Sequence, residues 1–149
     1  MRVVLQRVKQ SWVKVDGEIV GKIDKGLNIL LGIGKRDTEE DIKKLVNKIL
    51  NLRIFENEEG KFHYSVLDIK GEILVISQFT LYANVKKGRR PSFEEAEEPK
   101  RAKELYEKFV EEIKKSGLKV ETGVFGAMMD VFIENWGPVT IIIDSNELK

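Results

Sequence analysis

Cysteine is missing from all 149 residues, which excludes disulfides, thiolate zinc sites and cysteine nucleophiles. Histidine is nearly missing too. His63 stands alone, so no two-histidine metal site exists, although a Ser-His-Asp triad remains open to it. No apolar run approaches the roughly 18–20 residues that a membrane span needs. Neither sign of charge dominates. Lys and Arg total 26 against 25 Asp and Glu, and the net charge of +1 excludes a uniformly basic nucleic-acid coat while permitting a local basic patch. Gly32-Ile33-Gly34-Lys35 lacks the spacing of a phosphate-binding loop and the Ser or Thr that follows its lysine. No G-x-S-x-G nucleophile elbow occurs. Met1 to Arg7 is too short and too charged for a secretion signal. The expectation is a cytoplasmic protein with no membrane partner, no metal and no cofactor.

The remaining pattern reads as one domain over residues 1–149. Val3, Val4 and Leu5 open a strand that runs to Asp16-Gly17, a hairpin signal, and Ile19 to Ile23 returns. Leu27 to Ile33 is almost wholly apolar, as in a strand buried on both faces. Thr38 is a helix N-cap candidate, followed by acidic residues and an apolar stripe of Ile42, Leu45, Val46, Ile49 and Leu50. Asn57 to Gly60 marks a second hairpin. Ile73 to Ile76 is a β-branched strand. A second helix begins near Pro99, with Ala102, Leu105, Tyr106, Phe109, Val110 and Ile113 on one face and Gly117 at its end. Strands then run from Lys119 to Thr122, Met128 to Glu134 and Val139 to Asp144. The predicted fold is α/β: curved, mainly antiparallel sheets forming a barrel-like core, with two long helices packed outside.

Three segments stand out from this framework. Ser77-Gln78-Phe79-Thr80 puts polar side chains at the end of a core strand, where they need hydrogen bonds or a pocket. Strand ends are common ligand sites in α/β folds. Thr80 offers a hydroxyl, Gln78 an amide, and the backbone N–H groups an oxyanion hole. The pattern alone equally fits a capped strand terminus. Asn135-Trp136-Gly137-Pro138 reads as a turn between strands, and its X-Pro bond is the kind that reaches the cis form cheaply. A rigid Gly-Pro tip can set backbone against a ligand with no side chain in the way, and an ordinary hairpin turn fits the same residues. Lys86, Lys87, Arg89 and Arg90 form a basic loop suited to phosphate, or merely to solvent. His63 has no evident partner.

Together with Gln6-Arg7-Val8, Arg90-Pro91-Ser92-Phe93, Thr122-Gly123 and Phe125-Gly126-Ala127-Met128-Met129, these segments resemble the D-aminoacyl-tRNA deacylase family over essentially the whole chain. One residue departs from the family pattern: Trp136 stands where an acidic residue is usual. The resemblance implies hydrolysis of the ester between a D-amino acid and the 3′-terminal adenosine of tRNA, with mischarged glycyl-tRNA as a second substrate. It implies a homodimer with sites at the subunit interface, and no DNA partner. Gly137 and Pro138 of one subunit, in the cis form, then line the pocket of the other, and Arg7 helps to hold them. Phe125, Ala127 and Met129 complete the substrate pocket. Ser77 and Gln78 orient substrate, the Phe79 and Thr80 amides form the oxyanion hole, and the basic loop meets tRNA phosphates. The rival readings are a non-catalytic RNA-binding domain, an interaction module, and a small-molecule esterase with Thr80 as nucleophile.

Overall fold

The computed structural model describes residues 1–149. Buried Val3 and Leu5 alternate with half-exposed Arg2, Val4 and Gln6 along strand β1 (Arg2–Val15), the period that a sheet with one covered face requires. The Asp16-Gly17 turn returns the chain as β2 (Glu18–Ile23) along the second half of β1. Strand β3 (Gly26–Gly32) pairs antiparallel with the first half of β1. It is buried nearly throughout, which matches its apolar run.

Helix α1 (Glu39–Asn51) starts where the sequence places it, with the Asp41 carboxylate accepting the Thr38 N–H at 2.8 Å. A small hairpin follows, β4 (Phe55–Glu56) and β5 (Phe62–Tyr64). Strand β6 (Glu72–Ser77) then lies parallel to β3, a pairing that needs a long crossover, here the one carrying α1. Helix α2 (Pro99–Lys114) is the next crossover and leads to β7 (Val120–Thr122), parallel to β6. Pro99 sits at its start, where a missing N–H costs nothing, and Glu98 caps the next amides. The apolar stripes of both helices join Leu5, Ile29, Ile73 and Phe55 in one core. A smaller core of Val8, Val13, Ile23, Leu74 and Ile76 fills the inside of the curved sheet. The curve nearly closes: a Cβ on Gly21 of β2 would sit 2.4 Å from the Thr122 carbonyl oxygen, so only glycine permits that approach.

One expectation fails. Met128 to Glu134 and Val139 to Asp144 do not form two strands about a turn. They are one strand, β8 (Asp130–Asp144), antiparallel to β1 along nearly its whole length. The cause is the length of β1: its fourteen residues offer a continuous edge to both halves, so the chain has no need to reverse. The Gly-Pro pair is therefore a bulge within a strand. Gln6 pairs with Thr140 and Val8 with Asn135, so a single residue of β1 faces four residues of β8.

Candidate active site

Parallel strands β3, β6 and β7 all end at the same side of the sheet, and the polar cluster emerges there. Ser77 pairs with Leu31, and the Gln78 N–H donates to the Leu31 carbonyl at 2.8 Å. The chain then tightens into a 3-10 turn, Phe79–Tyr82. Its Leu81 N–H donates to the Gln78 carbonyl (3.2 Å), and the Ala83 N–H to the Thr80 carbonyl (3.0 Å). The Phe79 and Thr80 amides precede the first of these bonds, so the turn itself leaves them free to donate outward. Gln78 Nε2 donates to Thr80 Oγ1, and no carboxylate, imidazole or amine hydrogen-bonds to that hydroxyl.

The turn is anchored from below. Arg2 Nη1 donates to the Leu81 carbonyl (3.1 Å), and its guanidinium lies 4.4 Å from the centre of the Tyr82 ring. Arg2 Nε donates to Asp144 at 3.0 Å. Burial pushes the Asp144 carboxyl up, but the Asn146 amide and then Arg2 outweigh it and hold the group below the usual carboxylate range. This contact is intact above the ordinary carboxylate pKa and is lost only as pH falls through the lower folded value. Burial pushes the Tyr82 phenol up, so it stays neutral.

Two further expected groups converge on the same side. The Gly123 N–H meets the Val75 carbonyl at 3.4 Å, so residues 123–129 leave β7 beside the end of β6. Met129 packs against the inner core. Ala127 closes a turn onto the Val124 carbonyl at 3.1 Å. Phe125 lies 5.7 Å from the Tyr106 ring and packs on the main core. Tyr106 donates to the Val75 carbonyl at 2.8 Å, and burial pushes its phenol up to about 12. Lys86, Lys87, Arg89 and Arg90 are exposed on a loop whose stem is closed by paired Asn84–Ser92 backbone bonds of 2.8 and 2.9 Å. Phe93 at the foot of that loop meets Phe79 edge-on at 4.9 Å. The sequence shows Phe93 only as part of a motif; its position opposite Phe79 across the loop stem is what brings it to the site.

The Gly-Pro pair lies elsewhere. Gly137 and Pro138 are exposed, Gly137 has φ +138°, and the bond between them is cis. Arg7 is buried behind them, donating from Nε to the Trp136 carbonyl (2.8 Å) and from Nη1 to the Ile54 carbonyl (3.0 Å). Arg7 faces Leu27 of β3, whereas Ser77 faces Leu31, four residues further on. Strand geometry puts the tip about 13 Å along the sheet and about 14 Å across it from Ser77, or about 19 Å over the sheet's curved surface. One chain therefore brings together the polar turn, the 123–129 loop and the basic loop, but not the Gly-Pro tip.

His63 is exposed on β5, edge-on to Tyr64 at 4.8 Å, and touches none of these groups. Replacing His63 by Ala is expected to leave turnover within about twofold, far less than the loss of a group that moves a proton at the reacting centre. Initial rates of the two proteins test this.

The fold is an α/β domain with a nearly closed sheet, and the polar turn at its strand ends gathers backbone amides, an amide side chain and two hydroxyls, without a thiol or an imidazole. Residues 4–144 match the D-Tyr-tRNA(Tyr) deacylase family, and the chain belongs to that family of hydrolases. It is 83% identical to a D-aminoacyl-tRNA deacylase of Aquifex aeolicus (strain VF5), over 99% of this chain and all of that one. It is 66% identical, over the same shares, to a D-aminoacyl-tRNA deacylase of Persephonella marina (strain DSM 14350 / EX-H1). Among solved structures, one titled c-Myc DNA Unwinding Element Binding Protein superposes with a TM-score of 0.91 at 44% identity, covering 97% of this chain and 98% of that one. No helix of the chain is long and apolar enough to cross a membrane.

Proposed function

We propose that this chain hydrolyses the ester joining a D-amino acid to the 3′-terminal adenosine of tRNA. We propose also that its working unit is a homodimer in which the Gly137-Pro138 tip of each copy enters the polar turn of the other. The observation that carries the second statement is that the exposed tip and the exposed polar turn lie three strands apart across the sheet and four residues apart along β3 within one chain. A second copy can supply the missing half to each. Strand β8 supports the same reading. Its outer edge has no strand partner, and Phe132 and Ile142 on it are 42% and 74% exposed.

In this reading the Phe79 and Thr80 amides donate to the ester carbonyl oxygen as negative charge develops on it. Water attacks the carbonyl carbon, the bond to the ribose 3′ oxygen breaks, and that oxygen takes up the proton. Free amino acid and tRNA leave. An aminoacyl ester is activated enough that placement and an oxyanion hole carry much of the acceleration. The adenosine 2′-hydroxyl positions the water. Ser77 and Gln78 orient adenosine and ester, and Phe125, Ala127 and Met129 border the pocket. The tip presents backbone, and that wall excludes an L side chain while leaving room for many D side chains. Glycine has no side chain to exclude, so glycyl-tRNA is also cut. A translation substrate of this kind places the protein in the cytoplasm.

The basic loop meets tRNA phosphates. Neutralising Lys86, Lys87, Arg89 and Arg90 together is expected to raise KM with kcat nearly unchanged. The slope of log kcat/KM against log salt should flatten by about 3, the counterion release of four single-strand contacts. A salt titration of initial rates reads both.

The activity itself is tested with matched D- and L-tyrosyl-tRNA and purified protein without added metal. Rapid loss of the D ester with the L ester spared is the expected result. Binding of tRNA with neither ester cut would leave an RNA-binding module instead.

A further inference from the structure

We infer that the Trp136 side chain is a positioning residue that fixes the Gly137-Pro138 tip and thereby sets the D-over-L selectivity. This rests on the reading of the tip as the chiral wall. Residues 136–139 face only Arg7, so a regular row of strand bonds cannot define where the tip stands. Something else has to hold it.

The Trp136 indole meets three groups. The Arg7 guanidinium lies 4.6 Å from its ring centre, Lys25 Nζ lies 5.3 Å away, and the Phe55 ring lies 6.1 Å away at 57°. Two cations on one tryptophan ring are attracted by its electron-rich face, more strongly where water is excluded. Arg7 is 3% exposed and Phe55 is 2% exposed, so the ring grips two fixed partners, with exposed Lys25 on it as the third. Arg7 is itself tied to the Ile54 carbonyl, with the Glu56 carboxylate 3.5 Å away. The same arginine also donates to the Trp136 carbonyl. One residue thus binds the guanidinium twice, through its backbone oxygen and through its ring face. The first contact fixes where the tip's backbone starts, and the second fixes its rotation about that point.

Beside the ring is an open cleft of about 610 Å³, bordered by Lys9, Lys25, Phe55 and Glu56. On that side no packed side chain would hold the tip once the indole is lost, and the tip would gain freedom. A displaced tip admits the L side chain or obstructs the D one. Either outcome lowers selectivity.

The test is kcat/KM on D- and L-tyrosyl-tRNA for Trp136→Leu and Trp136→Phe, beside Gly137→Ala, with thermal unfolding of each. Leucine keeps apolar contact but has no ring face. It is expected to lower the D-over-L ratio about tenfold, and phenylalanine to restore it to within about threefold. A leucine variant with unchanged selectivity, while Gly137→Ala loses it, overturns the inference and leaves the tip reading intact. Unchanged selectivity in Gly137→Ala overturns the tip reading itself. A phenylalanine variant as impaired as the leucine one also overturns the inference, because mere bulk would then explain the effect. Should Trp136→Leu fail to fold, Lys25→Met removes one cation from the same ring. It is expected to lower the ratio about threefold, and an unchanged ratio contradicts the inference.

Discussion

Gly137→Ala is expected to lower the D-over-L selectivity ratio about a hundredfold, a loss typical of a displacement of about 1 Å at a reacting centre. The reason lies in the local geometry. Gly137 has φ +138°, a region that side-chain-bearing residues rarely occupy. A Cβ there would lie 2.8 Å from the Val139 amide nitrogen, 2.9 Å from Val139 Cγ2 and 3.2 Å from Arg7 Nη2. The first of these is backbone and cannot swing aside. The second belongs to a side chain packed on the core, and the third to a guanidinium already committed to two carbonyls. The backbone of the tip must therefore shift. The rest of the fold is spared, because the tip is exposed and lies outside the strand ladder. Parallel kcat/KM measurements on the two tyrosyl esters, with a thermal melt as control, check this. A loss of stability that lowers both rate constants equally, with the ratio unchanged, would point to unfolding instead.

Removing the 2′-hydroxyl of the terminal adenosine is expected to slow D-ester hydrolysis at least about a hundredfold, the lower range for a positioned proton-transfer group. Thr80→Val is expected to slow it by no more than about tenfold, the loss of one substrate-orienting or turn-stabilising hydrogen bond. The contrast follows from the surroundings of Thr80. A threonine hydroxyl becomes a nucleophile when a neighbouring base takes its proton. Thr80 Oγ1 instead accepts a bond from Gln78, and no basic group hydrogen-bonds to it. The role assigned to residue 80 belongs to its amide, which valine retains. Single-turnover rates with ribo- and 2′-deoxyadenosine-ended substrates distinguish the two routes. Trapping of an acyl-enzyme on Thr80, with the deoxy substrate cut normally, would reverse the assignment.

The sequence makes some of this legible because certain signals are local. Thr38 before its acidic turn, the stripe from Ile42 to Leu50, and Pro99 each encode a helix start or a buried face within a few residues; the helices start there and the stripe is buried as far as Ile49, with Leu50 half-buried at its edge. The apolar run of β3 reports burial on both faces, and the parallel pairing with β6 realises it. The β8 error has the opposite cause. Gly137-Pro138 carries every local mark of a chain reversal. Whether the chain reverses depends on β1, more than a hundred residues earlier, which holds both halves in one line. The polar turn could be found from Ser77 to Thr80 because polar groups ending a buried strand need an explanation. Its anchor could not, and neither could the tip's. Arg2 reaches Leu81 under the turn, and Trp136 reaches Lys25 beside the tip, only through the fold, and neither pair shares a motif. The distance between tip and turn was equally invisible in the sequence, since it depends on which strands lie between them.

The claim that each site combines two copies is tested most directly by a tagged heterodimer of Gly137→Ala and Phe79→Pro chains. Proline at Phe79 occupies the first position of the turn, where it is tolerated, and removes one oxyanion donor. If the tip serves the other copy, the heterodimer holds one site with an intact turn and an intact tip. It then cuts D-tyrosyl-tRNA at about half the wild-type rate, with wild-type selectivity. If each tip instead serves its own chain, the only intact turn is paired with the altered tip. The heterodimer then shows the poor selectivity of Gly137→Ala, and the account of a shared site is wrong.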